Sequence, residues 1–330
     1  MTNRVEELAP DAAIVLADRT APAVFRGIAV DWPAVKAADA GAYLARFDTG
    51  KPIGVAIAPP EADGRLGYNA DMSALTFVRD SGTLAWLFAR LDAAARASPP
   101  PAIAAQAVVV PEALPGFEAE NRMPLAPEGV APRIWIGNRV RVATHHDMNS
   151  NIAVVMAGRR RFTLFPPDQV ANLYIGPIEF TPAGTPIGLF DPDEPDFDRF
   201  PLAREAMAHA HIVELELGDA LFIPHMWWHH VRSLDPVSIL VNYWWDEAPA
   251  PQPGLAPLDT MVHAILAFSG LPENQRAAWR AMFDEFVFGP SPDHVPEERR
   301  GIRGRLSDES KTRVRRQLGQ IHFPKSVHLI

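Results

Sequence analysis

Residues 144–167 read THHDMNSNIAVVMAGRRRFTLFPP, and residues 218–231 read GDALFIPHMWWHHV. Both stretches consist of short runs, either apolar or alternating between apolar and polar residues, that are separated by Gly or Pro. This pattern extends from about residue 105 to residue 246. Many short strands with turn signals between them and few helical patterns are typical of a β-sandwich or barrel. The sequence therefore predicts a mainly β core to which both stretches contribute strands.

The chain has a different pattern on each side of this core. Residues 1–104 mix helical and strand-like periodicity and predict an α/β flank packed on the barrel of residues 105–247. A proline-rich linker opens the region 248–330, where Trp279 and Phe283 belong to an apolar stripe at helical spacing. We therefore expect the C-terminal region to be helical.

The composition limits the possible classes of function. With 330 residues, 48% of them apolar and 22% charged, the chain has an ordinary globular composition and can bury a large core. The absence of cysteine excludes disulfides, thiolate metal sites and cysteine nucleophiles. A formal charge of −9 provides no general attraction to nucleic acid or anionic membranes. Neither a signal peptide nor an apolar run of roughly 20 residues is visible, so the sequence predicts a cytoplasmic protein.

The histidine-rich part of the core contains a candidate metal site. Seven of the eleven histidines lie between His145 and His230. Because alternate residues of a strand share a face, His145 and Asp147 could bind one ion together. A histidine from the segment 223–230 would complete a set of two histidines and one carboxylate, the arrangement found in non-haem Fe(II) oxygenases. The alternative is that these are ordinary buried core histidines.

An arginine triplet, Arg159 to Arg161, lies in a later strand pattern. Alternation places Arg160 on the same face as Phe162 and Leu164. A guanidinium on an apolar face is costly unless an anion meets it, and arginine can bind a carboxylate through two hydrogen bonds. The triplet therefore predicts an anion site or, alternatively, a solvated cluster at a sheet edge.

Taken in order, these motifs resemble those of a known family, the cupin-like JmjC hydroxylases. These are 2-oxoglutarate-dependent oxygenases related to the asparaginyl hydroxylase factor inhibiting HIF. The resemblance is closest over about residues 105–246. It is carried by His145-x-Asp147, Asn151, the stretch 158–167, the stretches 218–224 and 227–231, and Val241-Asn-Tyr-Trp244.

The resemblance implies a double-stranded β-helix (the cupin or jelly-roll fold) with Fe(II) bound by His145, Asp147 and His229. His229 is preferred to His230 because the family ligand directly follows an aromatic pair. The resemblance further implies O2 and 2-oxoglutarate as cosubstrates, with decarboxylation to succinate coupled to hydroxylation of a C–H bond. Retention of Asp147 argues against the related halogenases, in which a small residue replaces this carboxylate.

The resemblance also assigns the residues that bind 2-oxoglutarate. Arg160 stands where the family usually has a lysine that binds the distal carboxylate of this cosubstrate. Asn151 and Asn242 match amides that line the pocket, and Trp244 matches an aromatic residue beside it.

The sequence departs from the family pattern in two places. Arg160 keeps the charge of the lysine but is longer and planar. Relatives often carry a hydroxyl three residues before the first iron ligand, where this chain has Val142. We expect the corresponding hydrogen bond to be absent or to come from Thr144 or Tyr68.

The resemblance thus identifies the chain as a 2-oxoglutarate-dependent dioxygenase acting on a protein side chain or a small molecule. Two alternatives stay open, a non-catalytic metal-binding cupin scaffold and an RNA-modifying hydroxylase. The basic tract within residues 299–316 is interspersed with acidic residues, which favours a solvated helix over a nucleic-acid site.

Two further expectations concern the surface. The stretch 177–201 is rich in Pro and Asp and predicts a long surface excursion, of the kind that can form a lid. In the hydroxylases that the sequence resembles, C-terminal helices form a homodimer, and we expect residues 248–330 to do the same.

Overall fold

We describe a computed structural model of the chain, which covers residues 3–9, 16, 18–182, 184–246, 256–304, 309, 312–314 and 316. The chain divides into two units, Met1–Pro249 and Ala250–Ile330. Strands of the N-terminal flank belong to the same sheets as the barrel strands, so the flank and the barrel form one unit. The boundary predicted between residues 104 and 105 falls inside the strand Ala102–Val109.

The described part of the first unit contains fifteen strands, six short or medium α-helices and two 3-10 helices. The strands are β1 (Asn3–Arg4), β2 (Glu6–Leu8), β3 (Ala23–Phe25), β4 (Ile53–Ala58), β5 (Arg65–Leu66), β6 (Val78–Gly82), β7 (Ala102–Val109), β8 (Arg133–Gly137), β9 (Arg141–His146), β10 (Ser150–Ala157), β11 (Arg160–Phe165), β12 (His211–Leu215), β13 (Ala220–Ile223), β14 (Trp228–Ser233) and β15 (Ser238–Trp245). The helices are α1 (Pro33–Lys36), α2 (Ala40–Ala45), α3 (Leu84–Ala95), α4 (Val110–Ala113), α5 (Phe117–Glu120) and α6 (Ala203–Ala208).

The strands form two sheets that enclose an apolar interior. One sheet has the order β1-β12-β11-β14-β9-β5, and the other has the order β2-β3-β13-β10-β15-β8-β7-β4-β6. Side chains from both sheets meet in a single buried cluster, in which Phe162 of β11 and Leu240 of β15 take part. Every second residue of β11 points into this cluster, whereas Arg161 on the other face pairs with Glu214. This arrangement is the double-stranded β-helix, and the predicted fold class is confirmed.

Each sheet is covered on its outer face. Helices α1 to α3 and α5 pack on the nine-stranded sheet, and α3 contributes Leu84, Leu87 and Leu91 to that outer core. The excursion 177–201 shares a smaller apolar cluster with α6, β11 and β14, to which it contributes the buried Phe190. The excursion therefore combines a polar surface with buried apolar side chains, which its Pro- and Asp-rich composition does not indicate.

The second unit is helical in its described part, as predicted. It contains α7 (Pro257–Phe268) and α8 (Glu273–Phe286). The ring of Phe268 contacts those of Trp279 and Phe283, with centroids 5.1 and 5.4 Å apart. Most of the helix predicted for the basic tract lies outside the described residues. No helix in the described ranges has both the length and the apolar character needed to span a bilayer.

Gly158, in the turn between β10 and β11, gives a test of this packing. It has a φ of +68°, and a Cβ placed there would lie 2.5 Å from the carbonyl oxygen of Val237. The left-handed backbone costs an alanine roughly 1–2 kcal/mol, and overlap with backbone adds to this cost. We expect Gly158→Ala to lower the free energy of unfolding by about 3 kcal/mol in urea titrations.

The matched control for this substitution is Gly129→Ala. Gly129 has a φ of +81°, and no described heavy atom outside its chain neighbours lies within 4 Å of the position of a Cβ. This variant should lose only the backbone contribution, about 1–2 kcal/mol. Equal losses in the two variants would show that the close approach to Val237 does not restrict position 158.

Candidate active site

Strands β9 and β14 bring three metal-ligating side chains together. His145 pairs with His229 across the two strands, and their ring centroids lie 4.2 Å apart. Asp147 follows the end of β9, and its Oδ2 lies 3.7 Å from Nε2 of His229. One potential ligand atom from each of these residues lies within 4.8 Å of the other two. Two histidines and a carboxylate at this spacing can bind one ion and leave further coordination positions open.

Both ligand histidines are held in the form that binds a metal. Nδ1 of His145 lies 2.8 Å from the carbonyl oxygen of Ala143, and Nδ1 of His229 lies 3.0 Å from that of Trp227. A carbonyl oxygen only accepts, so each Nδ1 donates its hydrogen and each Nε2 keeps a free lone pair. Burial, reinforced by the neighbouring His145, lowers the pKa of His229 and keeps its imidazole neutral.

The histidines next to the ligands point away from this group. His146 packs edge-on against Trp228, with ring centroids 4.6 Å apart. Nε2 of His230 lies 3.8 Å from Oδ1 of Asp191, in a second group of potential ligands that includes Asp193. Both carboxylates of this second group already form ion pairs with arginines, so their charge is compensated by the protein.

Two amides connect the ligand carboxylate to the opposite sheet. Asn242 donates its Nδ2 hydrogen to Oδ1 of Asn151 at 2.8 Å, and Asn151 donates to Oδ2 of Asp147 at 3.1 Å. A hydrogen-bonded carboxylate keeps its orientation when it binds a metal. Asn151 and Asn242 therefore orient Asp147.

A cavity that includes the three candidate metal ligands extends into the barrel interior. It is lined by His145, Asp147, Asn151, Arg160, Phe162, Ile223, His229, Val231, Leu240, Asn242 and Trp244, together with Trp135 and Val142. The cavity is thus lined by all three candidate metal ligands and by the four residues that the resemblance assigns to the cosubstrate, Arg160, Asn151, Asn242 and Trp244.

Arg160 is a buried cation in this cavity. Its side chain donates from Nε to Oγ of Ser238 at 2.9 Å, and the residue is 5% exposed. It forms no ion pair with any residue that the structure describes. Burial lowers the pKa of Arg160 to about 9, so the guanidinium still carries its charge at neutral pH. Its neighbours Arg159 and Arg161 form surface ion pairs, so only the middle arginine of the triplet faces the interior.

A β-bulge decides which residue of β9 faces the cavity beside His145. His229 of β14 pairs with His145 of β9, and Val231 pairs with Val142. The two residues of β14 are thus two positions apart, whereas their partners in β9 are three positions apart. The extra residue in β9 shifts the alternation, so Val142 lines the cavity with His145. The position at which the family often has a hydroxyl is therefore inside the cavity, and here it is apolar.

Neither of the two residues expected to replace this hydroxyl reaches the cavity. Thr144 lies against the excursion, where its carbonyl oxygen accepts the backbone N–H of Gly188 at 2.7 Å. Tyr68 donates its hydroxyl to backbone carbonyl oxygens of Pro177 and Phe180 and lines a separate cavity. Among the residues that line this cavity, the structure thus includes neither Thr144 nor Tyr68.

Trp135, which none of the sequence-based predictions included, also lines the cavity. Ile134 and Ile136 are buried in the outer core of the nine-stranded sheet, and Trp135 between them packs against the interior cluster. The alternation of this short strand was a usable signal. It shows that Trp135 faces opposite to its neighbours, although not which side is the interior.

The double-stranded β-helix thus carries a candidate metal site of two histidines and one carboxylate, and the fold is of the cupin type. Comparison with known families agrees with this class. Residues 14–250 match the family described as cupin-like domain, and the chain belongs to that family. Similar proteins include JmjC-domain proteins, such as JmjC domain-containing protein C of Dictyostelium discoideum, 36% identical over 120 residues that cover 34% of this chain and 27% of that protein.

Other relatives carry more specific names. The human HSPB1-associated protein 1 is 36% identical over 131 residues, which cover 39% of this chain and 25% of that protein. The chicken tRNA wybutosine-synthesizing protein 5 is 37% identical over 107 residues, covering 32% of this chain and 30% of that protein. The match thus spans between a quarter and a third of each of these relatives.

Proposed function

We propose that this protein is an Fe(II)- and 2-oxoglutarate-dependent oxygenase that hydroxylates a protein side chain or a small molecule. The observation that carries the proposal is the position of Arg160. A buried guanidinium without a carboxylate partner among the described residues shares a cavity with a two-histidine, one-carboxylate group. A scaffold has no need of an uncompensated buried cation, which is costly, whereas a site for an anionic ligand does.

The residues present fit both the metal and the cosubstrate. The free Nε2 atoms of His145 and His229 and the carboxylate of Asp147 would hold Fe(II), which favours this mixture of nitrogen and oxygen ligands. Arg160 would hold the distal carboxylate of 2-oxoglutarate. The bound Fe(II), 2-oxoglutarate and O2 supply the oxidising chemistry, in which 2-oxoglutarate is decarboxylated to succinate and a substrate C–H bond is hydroxylated.

The protein contributes orientation and exclusion of water. Asn242 and Asn151 hold Asp147 in one direction through their two hydrogen bonds. Phe162, Leu240 and the other apolar side chains of the cavity exclude water from the space between Arg160 and the metal-ligating group.

The substrate class is supported by the names of relatives. One relative, in Arabidopsis thaliana, is the lysine-specific demethylase JMJ31, which favours a protein side chain as the substrate of this chain as well. The chicken tRNA wybutosine-synthesizing protein 5 keeps RNA as the alternative. In the described part of the basic tract, Arg303 pairs with Glu285 at 2.9 Å, which does not favour an RNA-binding face.

The test is an anaerobic titration of the purified protein with Fe(II), or Mn(II) as its redox-stable substitute, with and without 2-oxoglutarate. We expect binding of 2-oxoglutarate that depends on the metal, followed by succinate formation when O2 is admitted. Metal binding without any affinity for 2-oxoglutarate would favour the non-catalytic cupin scaffold instead.

We also propose that the protein is a homodimer formed through α7 and α8. No residue of these two helices is buried, and large apolar side chains such as Trp279, Met282 and Phe286 are 45–49% exposed. An apolar groove lies between the two helices and is lined mainly by side chains such as Ile265, Phe268 and Phe283. Exposed apolar surface of this kind is typical of a protein–protein interface, and a second copy of the helix pair has the matching apolar character.

Light scattering tests the dimer. We expect a mass of twice 36.2 kDa for the wild-type chain, and a monomer for Trp279→Glu, because a charge on the apolar groove must be desolvated in the interface. Ala281→Glu, on the opposite face of α8, is the matched control and should stay dimeric. A wild-type protein that elutes as a monomer would contradict the proposal.

A further inference from the structure

Two buried indole groups of the candidate active site lack hydrogen-bond partners. The Nε1 atoms of Trp135 and Trp244 are inaccessible to water, and neither has an acceptor among the described residues. Both tryptophans line the cavity that contains Arg160. An unpaired buried N–H costs free energy comparable to a lost hydrogen bond, and these two are the N–H groups without a partner among the described residues that line the cavity.

The register of the strands places Trp135 between the two ends of the cavity. Along the interior face of β15, Ser238 contacts Arg160, and Asn242, four residues later, belongs to the amide pair that orients Asp147. Leu240 lies between them and is paired with Trp135 of β8. Neighbouring residues on one face of a strand are roughly 6.6 Å apart. Along β15, Trp135 is therefore displaced by roughly 6.6 Å from Ser238, the residue that contacts Arg160.

Trp135 also lines the same cavity as the position of the missing hydroxyl. Val142 and Trp135 line the same cavity and pack against the same interior cluster. The two substitutes expected from the sequence, Thr144 and Tyr68, lie elsewhere. An indole N–H is a donor only, so it suits an anionic acceptor and not a hydroxyl donor.

We infer that Trp135 is a specificity-determining residue of the cosubstrate pocket. Its indole N–H donates to the distal carboxylate of 2-oxoglutarate and replaces the hydroxyl that Val142 lacks, while Arg160 provides the charge. A carboxylate has more acceptor positions than one guanidinium edge fills, so both groups can bind it at once. This inference rests on the proposed function, because it concerns the same cavity and the same ligand.

The test compares the affinity of the Mn(II)-loaded protein for 2-oxoglutarate in three forms, without turnover. Trp135→Phe keeps an aromatic ring in the barrel but removes the N–H, and we expect its affinity to fall about tenfold or more, the usual effect of losing a hydrogen bond to a charged group. Adding Val142→Thr to this variant restores a hydroxyl and should recover most of the loss. The Mn(II) affinity of each variant, expected to be unchanged, reports on folding.

A second measurement uses the wild-type protein and does not depend on the stability of a variant. In the Zn(II)-loaded protein with 15N-labelled tryptophan, an indole N–H resonance should move downfield when 2-oxoglutarate is added. It should not move with 2-oxopentanoate, which has the same carbon chain without the distal carboxylate. If 2-oxoglutarate binds but no indole resonance responds, or if Trp135→Phe binds it as tightly as the wild type, the role of Trp135 is excluded. Failure of the wild type to bind 2-oxoglutarate at all would instead overturn the proposed function.

Discussion

Asp147→Ala is expected to abolish succinate formation from 2-oxoglutarate and to weaken Fe(II) binding by more than 100-fold. Asp147 is the only carboxylate in the group formed with His145 and His229, and its charge offsets that of the ion. Loss of a residue that merely hydrogen-bonds to a ligand typically costs about 10–100-fold in metal affinity or activity, so loss of the ligand itself must cost more. Anaerobic metal titration and a succinate assay without primary substrate measure both quantities.

His146→Gln is the matched control, one residue away in the sequence. His146 packs against Trp228, outside the group of ligands, and its Nδ1 has no hydrogen-bond partner among the described residues. We expect this variant to bind Fe(II) with wild-type affinity and to form succinate. Undiminished succinate formation by Asp147→Ala, or loss of iron from His146→Gln, would mean that the ligand set is assigned to the wrong face of the strand.

The features of the site that depend on local periodicity could be predicted from the sequence. The i, i+2 spacing of His145 and Asp147 places them together because alternate side chains of an extended chain share a face. The same rule places Arg160 on the opposite face from Arg159 and Arg161. In the structure Arg160 is buried, and Arg159 and Arg161 lie on the surface. These inferences require only that each segment be a strand.

The features that depend on pairing between distant strands could not be predicted in this way. The bulge in β9 arises from its register with β14, and it places Val142 in the cavity and Ala143 outside it. Alternation alone would put the residue two before His145, Ala143, inside. The position of Trp135 likewise depends on which side of β8 is enclosed by the other sheet, and only the assembled barrel defines that side.

Tertiary context also determines the role of the two amides. The resemblance assigns Asn151 and Asn242 to the cosubstrate, and in the structure both line the cavity, where Asn242 donates to Asn151 and Asn151 donates to Asp147. The donors and acceptors come from β10 and β15, which are far apart in sequence and adjacent in the sheet. A residue that orients a metal ligand has no sequence pattern of its own, because its partner is specified by sheet register.

Arg160→Met is expected to have opposite effects on ligand binding and on stability. The variant loses the only buried cation in the described part of the cavity, so its affinity for 2-oxoglutarate should fall by more than 100-fold in titrations of the Mn(II)-loaded protein. In the absence of ligand, however, the guanidinium is buried without a counter-charge among the described residues. Replacing such a group by an apolar side chain should raise the free energy of unfolding by about 1–4 kcal/mol.

The pH dependence of the free energy of unfolding independently tests whether burial of the Arg160 charge destabilises the ligand-free protein. Burial lowers the pKa of Arg160 from 12.5 to about 9, so between these values the unfolded chain binds more protons than the folded one. The free energy of unfolding of the wild-type protein therefore gains a contribution that increases with pH across this window. Arg160→Met lacks this contribution, and its advantage over the wild type in free energy of unfolding should shrink as the pH rises above about 9.

Two further variants separate the charge of Arg160 from its surroundings. Arg160→Lys introduces the lysine that the cupin-like JmjC hydroxylases usually have, and it should retain affinity for 2-oxoglutarate. Its gain in free energy of unfolding should be smaller than that of Arg160→Met, because a buried cation remains. Arg161→Met removes an arginine that pairs with Glu214 on the surface, and it should leave the affinity unchanged. If Arg160→Met bound 2-oxoglutarate normally, the cation would not belong to the ligand site. If the same variant were less stable than the wild type without ligand, Arg160 would have a compensating partner in the folded protein, and its burial would be a feature of the scaffold.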